Sequence, residues 1–297
     1  MVDVGVVSEA TVSTARQTAK RLGAPYLLLE GRLAQSAEQI RQLGGLIASP
    51  HTERLAALAE QALAFAQREA AARSHPVSVY LARGRDGLET GRRDSIHTEV
   101  AELLGARNAG DALAGGGLAQ VSIEQIILWQ PDWILTQEAD FAVQVARNPL
   151  WKNVKAVREG RIGLLPRLPY GWIDGPPGIN RLPGLYALAA ILSGQPPARY
   201  REQILPLLEA LYHHRPDPRN NACSGWPKRQ CPPAGYRQFR SREARGSPAA
   251  CQTRRNCTFR QFFAAKMRRQ SVSAIDNFPA KRHNAASFQP ILFKKEI

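Results

Sequence analysis

Apolar and polar positions change period several times along the chain, and each change marks an element. Residues 2–4 read as a short strand, Ser8 caps a helix running to about Leu22, Gly23 stops it, and residues 26–29 form an apolar second strand. Residues 37–73 are rich in helical pattern, interrupted between Gly44 and Pro50. Within them Leu55, Leu58, Ala62, Phe65 and Glu69 recur at helical spacing, which predicts a long amphipathic helix beginning near His51. A strand at the first residue of a parallel unit needs earlier strands to pair with, so the opening reads as half of an α/β unit with sequence expected upstream.

After His75-Pro76 strand and helix periods alternate. Residues 77–82 form a strand; Ser95 caps a helix ending at Gly105; Ser122 with Gln125 makes a capping box for a helix stopped by Pro131. Residues 133–136 form a second strand, 141–147 a helix, 161–165 a third strand and 179–192 another helix. Such alternation predicts a parallel sheet covered by helices. The strand-helix-strand plan of residues 2–29 is echoed by residues 133–165, as two lobes of similar build would produce.

Beyond His213-His214-Arg215 the periodicity collapses into a run rich in Arg, Pro, Ser and Asn, which predicts a disordered basic tail. Charge follows the same boundary. Residues 216–297 hold 17 Lys and Arg against 4 Asp and Glu, net +13, so the first 215 residues hold 23 against 21, net +2. The overall +15 therefore belongs to the tail and gives the body no case for a nucleic-acid partner. All four cysteines, Cys223, Cys231, Cys251 and Cys257, fall in the tail without a C-x2-C pair, against a zinc site. Cys and Trp scattered among arginines describe translation in a wrong reading frame better than a base-stacking arm. A basic nucleic-acid-binding protein acting through this tail is the alternative reading of the chain.

Catalytic chemistry finds little support. His213 and His214 are adjacent and point about 100° apart on a helix, not the i, i+4 spacing of a metal pair. No glycine pattern makes a nucleophile elbow, and Gly115-Gly116-Gly117 lacks the lysine of a phosphate loop. The sequence thus predicts no enzyme, no cofactor and no metal site. The first thirty residues show no basic segment followed by an apolar one, and no stretch approaches the roughly 18 apolar residues of a membrane span.

Three stretches carry a resemblance. Val121-Ser122-Ile123-Glu124-Gln125 followed by Pro131-Asp132-Trp133-Ile134-Leu135 is the most specific; the others are residues 80–91, YLARGRDGLETG, and residues 168–182, LPYGWIDGPPGINRL. Together and in this order they resemble the solute-binding proteins of iron-siderophore, cobalamin and molybdate ABC importers, over roughly residues 1–215. The resemblance implies an α/β fold of two Rossmann-like lobes bridged by a long α-helix. Residues 1–36 would be a partial N-terminal lobe, 37–75 the bridging segment, 76–215 the C-terminal lobe and 216–297 the basic tail. On this comparison the first lobe is incomplete and the tail frame-shifted.

The resemblance also implies a ligand held between the lobes, at strand ends where loops carry polar groups. Arg83 and Arg85 after the first strand of the second lobe suit a carboxylate-rich chelate or an oxyanion; solvation of a loop is the competing account. Tyr170 and Trp172 offer flat faces to an organic ligand, with packing between lobes as the competing account. Gln137, Glu138 and Asp140 read as caps of the following helix, with contact to the ligand as the competing account. Glu124 resembles the family's docking peg for arginines on a permease, although at the start of a helix it also complements the helix dipole. The implied partners are a ferric siderophore, haem, cobalamin or oxyanion and an ABC permease subunit, with no nucleic acid and no membrane span, for a periplasmic monomer.

Overall fold

In the computed structural model, which describes residues 1–167, 170–195, 197–213 and 291–293, the alternating periods become two separate parallel layers. The first is built from β1 (Val2–Gly5), α1 (Glu9–Leu22) and β2 (Tyr26–Glu30), with β1 and β2 paired in parallel. Ser8 accepts the Thr11 amide and Thr11 accepts the Ser8 amide, a reciprocal cap that satisfies two otherwise orphaned donors. Gly23 ends the helix at φ 63°, a left-handed turn open to glycine at no steric cost.

Two helices follow, α2 (Ser36–Leu46) and α3 (Thr52–Ala72). The buried face of α3 runs through Ala56, Ala59, Ala62, Phe65 and Ala66, so the predicted stripe is displaced. Leu55 and Leu58 pack only partly against the core, and Glu69 lies at its margin. Alanines take the seam because small side chains let neighbouring helices approach closely.

The second layer is a four-stranded parallel sheet. Chain order gives β3 (Ser78–Ala82), β4 (Glu89–Gly91), α4 (Glu99–Leu103), β5 (Arg107–Asn108), β6 (Leu118–Gln120), α5 (Ile123–Trp129), β7 (Trp133–Thr136), α6 (Ala139–Gln144), α7 (Lys155–Arg158), β8 (Ile162–Leu164), α8 (Leu182–Leu192) and α9 (Arg201–Tyr212). The sheet runs β5-β3-β7-β8, while β4 and β6 form a separate antiparallel ribbon. Alternate strand residues serve opposite faces, as a two-unit side-chain period requires. Val79, Leu81 and Leu135 join the core under α3 and α8; Tyr80, Ala82 and Ile134 join a second core with Phe141, Trp151 and Val154. Both faces are covered, which is why these strands read as apolar runs rather than alternations. Every residue of α8 is buried, making it the central helix of the layer.

Several expectations shift. Ser95 does not cap a helix: its Oγ accepts the His97 amide and its carbonyl accepts Thr98, building a turn, and α4 begins only at Glu99. Ser122 does cap α5 through the Gln125 amide, and α5 ends at Gln130 with φ 44°, one residue before Pro131. The α9 helix, with Pro206 inside it, and the three-residue strands of the ribbon carry too little period to be read from sequence. Within the predicted tail, Ile291–Phe293 (β9) pairs antiparallel with β2, an apolar β-prone triplet meeting an open strand edge. The remaining tail expectations, including the four cysteines, and His214 lie outside the described residues.

Candidate functional site

At the C-terminal ends of β3 and β7 and just past β8 the loops enclose a cleft of about 290 Å³. Its wall consists of residues 81–84, Glu89, Gln137, Glu138, Arg167 and residues 173–175. Parallel strands all point their carboxyl ends this way, so polar groups gather there without entering the core.

Arg83 stands at the centre. It is the first residue after β3, and its main chain bridges Glu89, donating to the Glu89 carbonyl at 2.9 Å. Its Nη1 reaches Glu89 Oε2 at 2.5 Å and its Nε pairs with Asp174 Oδ2. Asp174 is almost wholly buried and also accepts from His97 Nδ1 at 2.5 Å and from the Gly175 amide at 2.7 Å. Burial alone pushes the Asp174 carboxyl up; the hydrogen bond and charge of His97, the Arg83 charge and the Gly175 amide outweigh it and hold the group below the usual carboxylate range.

The loop that carries Asp174 is pinned by Gln137. Its Oε1 accepts the amides of Ile173 at 3.0 Å and Asp174 at 2.8 Å, and its Nε2 donates to the Asp174 carbonyl at 2.8 Å. Gly171 is required here, since a Cβ would overlap the Asp174 carbonyl and the Gln137 amide. Across the cleft Arg167 pairs with Glu138. Gln137, Glu138 and Asp140 are therefore not side-chain caps: α6 starts without one, and Gln137 and Glu138 turn to the cleft instead.

Behind this wall lies a second charged cluster. Arg181, fully buried, donates to Glu99 Oε2 at 3.0 Å, to the Gly31 carbonyl at 2.8 Å, and to the carbonyls of Ile96 and Gly178. Glu99 also accepts the Leu33 amide at 2.8 Å and Arg32 Nη1 at 3.4 Å. Burial lowers the Arg181 pKa, and the Glu99 charge and hydrogen bond work against it. The segment leaving β2 is thus anchored to the start of α4 and the turn before α8, close in the chain to His97.

Of the four residues assigned to ligand, only Arg83 lines the cleft. Arg85 is exposed two positions away. Tyr170 is exposed and its ring lies 6.4 Å from that of Tyr212 on α9. Trp172 has no exposed surface and belongs to the core beneath α8, so the expectation of an open ring face is corrected: the apolar surface of α8 outcompetes the cleft for the indole. Sequence reasoning missed Glu89 and Asp174, whose pairing with Arg83 spans 6 and 91 positions and leaves no local signal. Glu124 is exposed on α5; hydrogen bonds from the Ser122 hydroxyl and its own amide hold its carboxyl below the usual range. Among the described residues no group of three or more His, Cys, Asp or Glu could hold a metal ion, and no helix is long and apolar enough to cross a membrane.

Residues 6–168 match the family described as periplasmic binding protein. An ABC transporter solute binding protein from Sulfurospirillum deleyianum is 25% identical with a TM-score of 0.66, the match covering 74% of this chain and 70% of that one. A periplasmic solute binding protein from Veillonella parvula is similar at 21% identity and TM-score 0.57, covering 72% and 66%. The molybdate periplasmic binding protein of Haemophilus influenzae, bound to molybdate, is similar at 18% identity and TM-score 0.58, covering 73% and 72%. The last two likenesses concern the fold. No curated protein matches the chain.

Proposed function

The chain belongs to the periplasmic binding protein family, and from that premise we propose that it is the ligand-capture component of an ABC importer working in the periplasm. The ligand is of the iron-chelate, haem, cobalamin or metal-oxyanion class, and the protein acts by binding rather than by catalysis. The observation that carries this reading is the polar cleft at the strand ends, where Arg83, fixed by Glu89 and Asp174, is presented at the C-terminal end of an inner strand. The likeness to a transporter solute binding protein supports it.

In this reading residues 1–36 belong to one lobe, 37–75 bridge, and 76–215 form the other, with α3 limiting the lobes' relative motion. Arg83 meets the ligand, with Arg85 and Tyr170 on the exposed loops around it. Glu124 is the docking residue for a cationic site on the permease: it is exposed, ionised and on α5, which contributes nothing to the cleft wall. The protein acts as a monomer, and a separate ATPase supplies the energy of transport.

The test is titration calorimetry of the full chain with ferric chelates, haemin, cyanocobalamin and molybdate, repeated with Arg83→Ala. Stoichiometric binding weakened at least about tenfold by the substitution is expected. Binding that ignores Arg83 would move the site elsewhere.

A further inference from the structure

We infer that the ligand group seated against the strand-end wall carries no net negative charge, so that the occupant is a neutral or cationic metal chelate rather than a bare oxyanion or an anionic chelate. The inference rests on the capture reading above and narrows its ligand class.

The wall holds two cations, Arg83 and Arg167, against three carboxylates, Glu89, Glu138 and Asp174. Each cation is already engaged: Arg83 Nη1 with Glu89 at 2.5 Å and its Nε with Asp174, Arg167 with Glu138. Gln137 is the neutral polar side chain of the wall, and both ends of its amide are committed to the backbone of residues 173 and 174. His97 donates to Asp174 and is not part of the wall. Arg85 is exposed and likewise outside it.

A site for an oxyanion needs converging N–H donors that are not shared with protein carboxylates. Here an incoming anion would place a fourth negative group around two guanidiniums, in a cleft where repulsion is screened less than in bulk water. A neutral chelate bearing amide or hydroxyl donors meets the opposite situation. The carboxylates of Glu89 and Glu138 have further lone pairs to accept its hydrogen bonds. Among the described residues no group of three or more His, Cys, Asp or Glu is set to hold a naked cation.

The experiment is calorimetry on the full chain with four probes: cyanocobalamin and a neutral ferric trihydroxamate, against a trianionic ferric tricatecholate and sodium molybdate. At least one neutral chelate is expected to bind about tenfold or more tighter than either anion. Glu138→Gln, at a partly exposed position, and the double variant Glu89→Gln/Glu138→Gln shift the wall toward net positive charge. Both should move the anion-to-neutral affinity ratio toward the anions, by about tenfold in the double variant. Preference for either anion by the unmodified chain, or an unchanged ratio in both variants, overturns the inference while leaving the capture reading intact. If none of the four probes binds, the capture reading falls and this inference falls with it.

Discussion

His97 donates through Nδ1 to Asp174 Oδ1 at 2.5 Å, and this contact joins the cleft wall to the buried Arg181–Glu99 pair beside it in the chain. Asp174 faces the cleft through Arg83, while Arg181 faces the segment after β2 through the Gly31 carbonyl. Arg181 also donates to the carbonyl of Ile96, the residue before His97, so the cleft wall and the anchoring of the first layer meet at adjacent positions of one segment. Buried charges are tolerated there because each has a partner.

Asp174→Asn tests the cleft side of this arrangement. Removing the charge leaves Arg83 with Glu89 as its ion-pair partner and His97 Nδ1 without a carboxylate acceptor, for an expected loss of about 3 kcal/mol. The pH dependence follows from the depressed native pKa. A carboxyl held below its unfolded value contributes fully above that value, near pH 4, and loses the contribution as pH falls toward the native pKa. Urea midpoints at pH 7 and at pH 3 should converge for wild type and variant at the acid end. An equal gap at both values would show that Asp174 is not what acid disrupts.

The anchoring side is tested by Arg181→Met, which keeps the bulk and leaves Glu99 buried with only the partly exposed Arg32 as ionic partner. A loss of about 3–5 kcal/mol is expected. In a double-mutant cycle with Glu99→Gln the two effects should be strongly non-additive, by about 1–3 kcal/mol. Additive losses would mean that Arg181 acts through the carbonyls of Gly31, Ile96 and Gly178 and not through Glu99.

How far sequence could anticipate this arrangement depended on whether the deciding contact was local. The strand at Trp133–Thr136, the Ser122 cap and the Gly23 stop were legible because each is set by neighbours within four residues. Arg83 was legible for the same reason, as the first residue past an apolar strand. Trp172 was not, since its fate was decided by α8, ten or more residues on, whose uniformly apolar surface buries it. Asp174 carries no local signal, because Arg83 and His97 reach it from 91 and 77 positions away. The alanine seam of α3 was hidden because leucines outweigh alanines in any hydropathy pattern, although in close packing the smaller residue takes the inside.

Glu124→Lys tests docking. The residue is exposed and ionised at neutral pH, and under the docking proposal it acts by electrostatic steering toward a cationic partner. Affinity for the cognate permease in nanodiscs is expected to fall about tenfold, with a smaller fall for Glu124→Gln and a reduced salt dependence in both. Identical affinity and salt dependence in wild type and both variants would remove Glu124 from the interface.

Gly171→Ala probes how tightly the Asp174 loop is set. A methyl group there would collide with the Asp174 carbonyl and the Gln137 side chain, both fixed: the carbonyl by its own backbone, the amide by three hydrogen bonds to residues 173 and 174. Relief therefore requires the loop to shift, and a shift draws Asp174 away from Arg83 and His97 together. Overpacking of this kind costs about 1–3 kcal/mol, and the displaced Arg83 should weaken ligand binding as well. Gly194→Ala is the control, because a Cβ there meets no atom within 4 Å and the residue lies outside the cleft wall, although its φ of 67° adds backbone strain of its own. Comparable loss of stability in both variants with weakened binding only in Gly171→Ala would tie recognition to the position of the loop. Unchanged binding in Gly171→Ala would mean that the ligand does not depend on the Arg83–Asp174 geometry.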